Sequence, residues 1–188
     1  MSSNLKDEEL AKLVQNGEVQ KFGVLMERYQ GKLFRYGKKF LSSPDNIEDV
    51  VQDVFIKTYE NIQSFNVSQR FSPWIYRIAH NTYVNALKKN SRDPLYLFDF
   101  DTFISHTVVE NPIVREREKN EIKKMIDDSL SKLEPKYREI LVLNYIEDLS
   151  YKEISDILHI PLGTVGVRVM RAKEMLKRIY MELNKQTL

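Results

Sequence analysis

The sequence predicts an all-α protein: two small helical domains joined by a flexible linker, the second containing a helix-turn-helix. Three observations carry this prediction. Phe22, Leu25, Met26, Tyr29, Leu33, Tyr36 and Phe40 hold the helical period over about five turns, which marks a long amphipathic helix. Residues 91–118 lose every period between Pro94 and Pro112, and structureless stretches of that length are uncommon inside a compact domain. Leu149 to Leu176, reading LSYKEISDILHIPLGTVGVRVMRAKEML, shows two amphipathic patterns broken by His159, Ile160 and Pro161. The first domain is therefore set at residues 1–90, the linker at 91–118 and the second domain at 119–188.

Bulk properties narrow the function. A chain of 188 residues, 42% hydrophobic, suffices for one ordinary domain or two small ones. No run approaches the length of a membrane span, and the N-terminus MSSNLKDEELAKL lacks a basic-then-apolar signal pattern. A soluble, cytoplasmic protein without membrane insertion is expected. With no cysteine there is no disulfide framework and no thiolate zinc site, and His80, His106 and His159 are scattered, so neither metal nor cofactor is expected. The net charge is only +2, but its distribution is informative. Residues 1–90 and 151–188 each sum to +3, while 91–118 sum to −3 and 119–150 to −1. Two mildly basic ends around an acidic middle imply two DNA-touching modules, each weak alone.

Taken in order, Asp7 to Asn16 reads as a short helix with Leu10, Leu13 and Val14 inward, closed by Gly17. The long helix starts near Val19 and ends at Ser42, Ser43 and Pro44. A third, from about Asp45 to Glu60, buries Ile47, Val50, Val51, Val54 and Phe55. Its other face crowds Asp45, Glu48, Asp49, Gln52 and Asp53 into the first turns. Acidic groups there gain about 0.3–1 kcal/mol each from the helix dipole, yet the same surface fits a basic partner equally well. The polar loop Gln63 to Ser72 holds Phe65 and Phe71, and Ser72 with Pro73 reads as the cap and first residue of the next helix. That helix places Ile75, Ile78, Ala79, Thr82 and Ala86 inside. Tyr76, Arg77, Asn81, Tyr83, Asn85, Lys88 and Lys89 fall outside or at its edges. Rings, amides and cations together suit a single-stranded nucleic acid, although a Tyr-rich amphipathic helix explains them too.

The second domain opens with Ile122, Met125, Ile126, Leu130 and Leu133 on one face, and Pro135 starts a helix with Tyr137, Ile140, Leu141 and Tyr145 inward. Ser150 and Glu153 form a capping box for a helix burying Ile154, Ile157 and Leu158. Pro161 then opens a helix in which Val165, Val169, Ala172 and Leu176 make the buried stripe. Arg168, Arg171, Lys173, Lys177 and Arg178 lie off that stripe, as in a helix entering a major groove. An ordinary helical hairpin with a solvated basic face reads the same way.

DNIEDVVQDVFIKTYENI (Asp45 to Ile62), FNVSQRFSPWIYRIAHNTYVNALKK (Phe65 to Lys89) and LEPKYREILVLNYIEDLSYKEISDILHIPLGTVGVRVMRAK (Leu133 to Lys173), in that order around a linker, resemble the extracytoplasmic-function group of bacterial sigma-70 factors. The resemblance covers nearly the whole chain. It implies core RNA polymerase as partner, met at the clamp helices of its largest subunit and at its flap, with Asp45, Glu48, Asp49, Gln52 and Asp53 as the clamp-docking patch. It assigns promoter minus-10 DNA to Phe65, Asn66, Ser68, Arg70, Phe71, Arg77, Asn81, Asn85 and Lys88, with Asn81 reading a flipped-out base. It assigns duplex minus-35 DNA to Lys152, Thr164, Gly166, Val167, Arg168, Met170, Arg171 and Lys173. The linker would thread the polymerase near its active-site and RNA-exit channels, and an anti-sigma factor is a possible further partner. Melting by base capture needs no ATP and no catalytic residue, so no enzyme is expected.

The chain departs from the family at Gly166, Val167 and Met170, where relatives commonly carry a basic residue, a Ser or Thr, and an aromatic or His. Val167 and Met170 can touch a thymine methyl but cannot form the bidentate pairs that each give about 1–3 kcal/mol of discrimination. Minus-35 recognition is therefore expected to lean on phosphates and DNA shape. The rival reading is a dimeric helix-turn-helix repressor or activator that ignores polymerase.

Overall fold

The computed structural model describes residues 5–38, 40, 41, 43–90, 126 and 128–186, which are helical and carry no strand. The first domain consists of α1 (Asp7–Gln15), α2 (Gln20–Gly37), α3 (Pro44–Asn61), a 3-10 turn (Ile62–Ser64) and α4 (Phe71–Asn90). The second has a helical turn at 128–131, then α5 (Pro135–Leu141) running into a π-helical turn (Val142–Ile146), α6 (Tyr151–Leu158) and α7 (Leu162–Gln186). No described helix is long and apolar enough to cross a membrane. The predicted linker, Ser42, Ile122 and Met125 lie outside the described residues.

In the first domain, α1 begins where the Lys6 amide donates to Glu9 Oε2 at 2.7 Å. It ends at Gly17, whose φ of 101° only glycine adopts freely. Asp7 ties α1 to α2: its two oxygens take Arg28 at 2.6 Å and the Tyr29 hydroxyl at 2.7 Å. The α2 stripe is buried at Phe22, Leu25, Tyr29, Leu33 and Tyr36. Met26 is the exception, 39% exposed at the edge of the stripe. Phe40 lies beyond the end of α2 and stacks on Tyr83 at 5.2 Å with the planes 9° apart. Pro44 occupies the first turn of α3, and all five predicted apolar residues of that helix are buried.

Two expectations for α4 are corrected. The helix starts at Phe71, before Ser72 and Pro73, because Glu8 of α1 reaches over to accept the Phe71 amide at 2.8 Å and satisfies an N–H that would otherwise need a local cap. Tyr76 and Tyr83 are not at the edge but fully buried, while Ile78 and Ala86 are only half-buried. A buried tyrosine needs an outlet for its hydroxyl. Tyr83 finds one by donating to the Leu33 carbonyl at 3.1 Å.

That bond depends on Gly37. A Cβ there would run into the Tyr83 hydroxyl and stand 2.5 Å from Tyr83 Cζ and 2.7 Å from Ile47 Cγ2. The Tyr83 ring is held by Phe40 and Tyr36 and has no room to retreat. Gly37→Ala is expected to destabilise the first domain by about 1–3 kcal/mol, as overpacking does. Pairing it with Tyr83→Phe, which removes the nearest atom, should recover part of the loss in a double-mutant cycle followed by urea unfolding. Strictly additive losses would reject the clash.

The second domain closes around Leu133, Ile140, Leu141, Leu143, Leu149, Ile154, Ile157, Val165, Val169 and Ala172. Arg138 gathers the orphan carbonyls at the end of the 128–131 turn, donating to Leu130 O at 2.7 Å, Leu133 O at 3.1 Å and Ser131 O. Ile126 and Tyr145, both expected inward, are exposed. For Tyr145 the cause is the π turn, in which the Glu147 amide bonds back five residues to Val142 and shifts the helical phase. The Ser150–Glu153 capping box forms as expected, and His159 turns the chain in the left-handed region at φ 53°. Pro161 immediately precedes α7 and accepts the Thr164 and Val165 amides, one position outside its expected place.

Candidate nucleic-acid interface and docking face

The outward face of α4 is set by what its inner face buries. With Ile75, Tyr76, Ala79, Thr82 and Tyr83 turned into the core, Arg77, Asn81, Asn85 and Lys88 line up in one exposed row. This row holds cations and amides but no ring. The expectation of interleaved aromatics is corrected by the burial of Tyr76 and Tyr83.

The loop before α4 differs more from expectation. Phe65 is 4% exposed and Phe71 fully buried. Phe71 lies 5.5 Å from Tyr29 and 5.4 Å from Phe65, and Trp74 is 5.0 Å from Phe65. Both rings are thus part of the floor beneath the loop and cannot stack on a base in this arrangement. Long-range bonds hold them there: Gln15 Nε2 donates to Ile62 O at 2.7 Å and Phe65 O at 2.8 Å, anchoring the loop to α1. Asn66 and Ser68 are exposed but spend their polar atoms on each other, Asn66 Oδ1 accepting the Ser68 amide at 3.0 Å and hydroxyl at 2.7 Å. Arg70 reaches into the second domain, donating to Asp148 O at 3.0 Å and to Glu153 at 3.3 Å.

On α3, Asp45, Glu48, Asp49, Gln52 and Asp53 are all exposed. Glu48 and Gln52 border a groove of about 1020 Å³ between α2 and α3, floored by Phe22, Phe34, Val51 and Phe55 and open at Met26, Ile56 and Tyr59. An acidic face beside an exposed apolar groove fits a partner that presents both basic and apolar groups. The period of each helix alone does not disclose this groove, because it arises where two stripes diverge.

On the helix-turn-helix, Val167 (45% exposed), Met170 (57%), Arg171, Lys173 and Lys152 face solvent, while Thr164, Gly166 and Arg168 are half-buried. Gly166 stands close under Tyr151, whose ring a Cβ would meet at 3.8 Å. Lys173 lies over the Tyr145 ring at 5.5 Å, and the Tyr145 hydroxyl holds its ammonium above the usual lysine range. Thr164, Val167, Arg168 and Arg171 line a cleft of about 400 Å³ with Lys136 and Tyr137 from the start of α5. Sequence reading missed those two. They are some thirty residues from the start of α7 in sequence and join it through packing of α5 on α7.

Comparison with known proteins identifies the family. The family model for sigma-70 region 2 matches residues 25–93, and that for sigma-70 region 4 matches residues 123–176. The chain is 33% identical over 175 residues to the ECF RNA polymerase sigma factor SigW of Bacillus subtilis, covering 89% of this chain and 92% of that one. It is 34% identical over 183 residues to the ECF RNA polymerase sigma-E factor of Haemophilus influenzae, covering 94% and 96%. Among solved structures it resembles CnrH in complex with the cytosolic domain of CnrY, with a TM-score of 0.62, 23% identity and coverage of 92% and 96%. It also resembles the sigma factor RpoE of Bartonella quintana in complex with the anti-sigma factor NepR, with a TM-score of 0.65, 21% identity and coverage of 85% and 96%. These two likenesses speak to the fold alone. The two family matches and the identity to full-length relatives go further: the chain belongs to the sigma-70 family and is an ECF RNA polymerase sigma factor.

Proposed function

We propose that this sigma factor divides its work among three surfaces, and that the exposed row Arg77, Asn81, Asn85 and Lys88 is the one that opens the promoter. The row is the observation that carries the reading. Its spacing of four, four and three residues follows a single track along α4, with cations at its ends for phosphates and amides between them for base edges. Asn66 and Ser68 border the same strand, and Arg70 joins them once it leaves the second domain. Phe65 and Phe71 support this surface from below. The chain captures an unpaired base without catalysing a reaction, and the few kcal/mol of unstacking come from binding.

Asp45, Glu48, Asp49, Gln52 and Asp53 dock on core polymerase, with the groove beside them receiving an apolar part of the same partner. Lys152, Thr164, Arg168, Arg171 and Lys173 hold the minus-35 duplex, and Lys136 adds a further phosphate contact across the cleft. Gly166, Val167 and Met170 offer it little more than apolar contact. The structures of CnrH with CnrY and of RpoE with NepR support an anti-sigma protein as a further partner.

The test is transcription in vitro with core polymerase. Asn81→Ala removes one base-edge reader, worth about 1–3 kcal/mol, so open complexes should fall on the order of 10-fold to 100-fold while polymerase affinity stays unchanged. Normal melting by this variant, read with a permanganate footprint, would remove Asn81 from the pocket.

A further inference from the structure

The start of α7 presents an apolar strip to solvent. At about 3.6 residues per turn, Gly163, Gly166, Val167 and Met170 fall within an arc of about 100°, turned away from the buried Val165, Val169 and Ala172. Val167 is 45% exposed and Met170 57%, and Leu162, 54% exposed, borders them at the head of the helix. None of these side chains donates a hydrogen bond, and only the Met170 thioether is even a weak acceptor. Glu174 ends the strip. Cations stand on both sides of it: Arg171 is exposed along one edge, and Lys173 on the other is held over the Tyr145 ring at 5.5 Å.

The fold does not ask for this composition. Single exposed apolar residues are ordinary on a protein surface, but Leu162, Val167 and Met170 gather at one end of one helix. Glycine is a poor helix former, yet Gly163 and Gly166 both stand in the first two turns. Neither has a positive φ. A Cβ at Gly163 would meet nothing within 4 Å, and one at Gly166 would make only an ordinary contact with the Tyr151 ring at 3.8 Å. Packing and backbone geometry therefore leave both glycines unexplained. What a bare backbone adds is close approach to a ligand. With no side chain at 163 or 166, the helix can sit nearer the base edges, near enough for the short Val167 to reach them. In the major groove, the apolar group that a base edge offers is the C5 methyl of thymine.

We propose that this strip is a thymine-methyl reader: Val167 and Met170 select A·T pairs in the minus-35 duplex by burying C5 methyl groups, and Gly163 and Gly166 set the helix close enough for them to do so. The inference deepens the reading that α7 holds this duplex, and rests on it. Apolar contact takes the place of hydrogen-bonded base readout, while the flanking cations supply phosphate affinity that is blind to sequence.

Replacing thymine by uracil deletes the methyl and keeps the charge and every Watson–Crick hydrogen bond. The full chain with core polymerase is given a promoter library randomised across the minus-35 region, and the transcribed templates are recovered. An element with thymine on either strand should be enriched. Resynthesised with deoxyuridine in that element alone, it should bind the holoenzyme about 3-fold to 10-fold more weakly, as the loss of one or two buried methyl contacts predicts. Val167→Ala with Met170→Ala should lose about as much on the thymine duplex and no longer distinguish uracil, with an unchanged urea midpoint because both side chains are exposed. Equal binding of the parent to both duplexes overturns methyl reading, and so does a uracil penalty that survives in the double variant. Arg171→Ala with Lys173→Ala should weaken binding to the two duplexes alike. If no element is enriched while this cation variant still binds more weakly, the methyl reader falls alone. If the cation variant also binds as the parent does, α7 does not hold the minus-35 duplex and both readings fall.

Discussion

Phe71→Ala is expected to cost the first domain about 3–5 kcal/mol, the range for truncating a fully buried phenylalanine. The ring meets Tyr29 and Phe65 edge-on and lies 5.5 Å from Trp74, so removing it opens a cavity that rigid neighbours cannot refill. Trp74 is the only tryptophan of the chain and borders that cavity, so its fluorescence reports this domain during urea unfolding. The midpoint should fall sharply with little change in slope. Arg77→Ala, on the exposed row of the same helix, should stay within about 0.5 kcal/mol of the parent. The comparison separates two roles for the loop aromatics. A Phe71→Ala chain of unchanged stability that fails to melt promoters would mean the ring leaves the core to stack on a base.

The same residues show where sequence stops informing. The inner stripes of α2 and α3 are legible because a 3.6-residue period repeats for several turns, and the capping box at Ser150 because it is local. The burial of Phe65 and Phe71 is not. Their loop is polar, and what draws the rings down is Gln15 and Glu8, about fifty and sixty residues earlier in the chain. Tyr83 is similar, since a ring with a hydroxyl reads as half-exposed until its acceptor, the Leu33 carbonyl, is known. The candidate site divides along the same line. The exposed acidic face of α3 and the polar row of α4 follow from helical phase. The groove beside Met26, the Lys136 side of the cleft on α7 and the partners of Arg70 arise from packing between distant segments.

The acidic face of α3 carries the second large expectation. Asp49 and Asp53 are one turn apart, both exposed, and neither is spent in an ion pair among the described residues. If they were there only for the helix dipole, Asp53, in the third turn, would contribute little, because that effect fades within the first turn. Asp49→Lys with Asp53→Lys sets like charges against a basic docking partner, at a cost of several kcal/mol. Affinity for core polymerase should fall on the order of 100-fold. The parent's affinity should weaken as salt is raised from 0.05 M to 0.5 M, and the reversed variant should lose most of that dependence. Helix content and the Trp74 unfolding midpoint should barely move, since neither side chain touches the core. A reversed variant that binds polymerase as the parent does would restore the dipole and solubility explanation. Loss of binding with its salt dependence intact would transfer the interaction to the apolar groove between α2 and α3, where Ile56→Ser and Met26→Ser would then be the deciding variants.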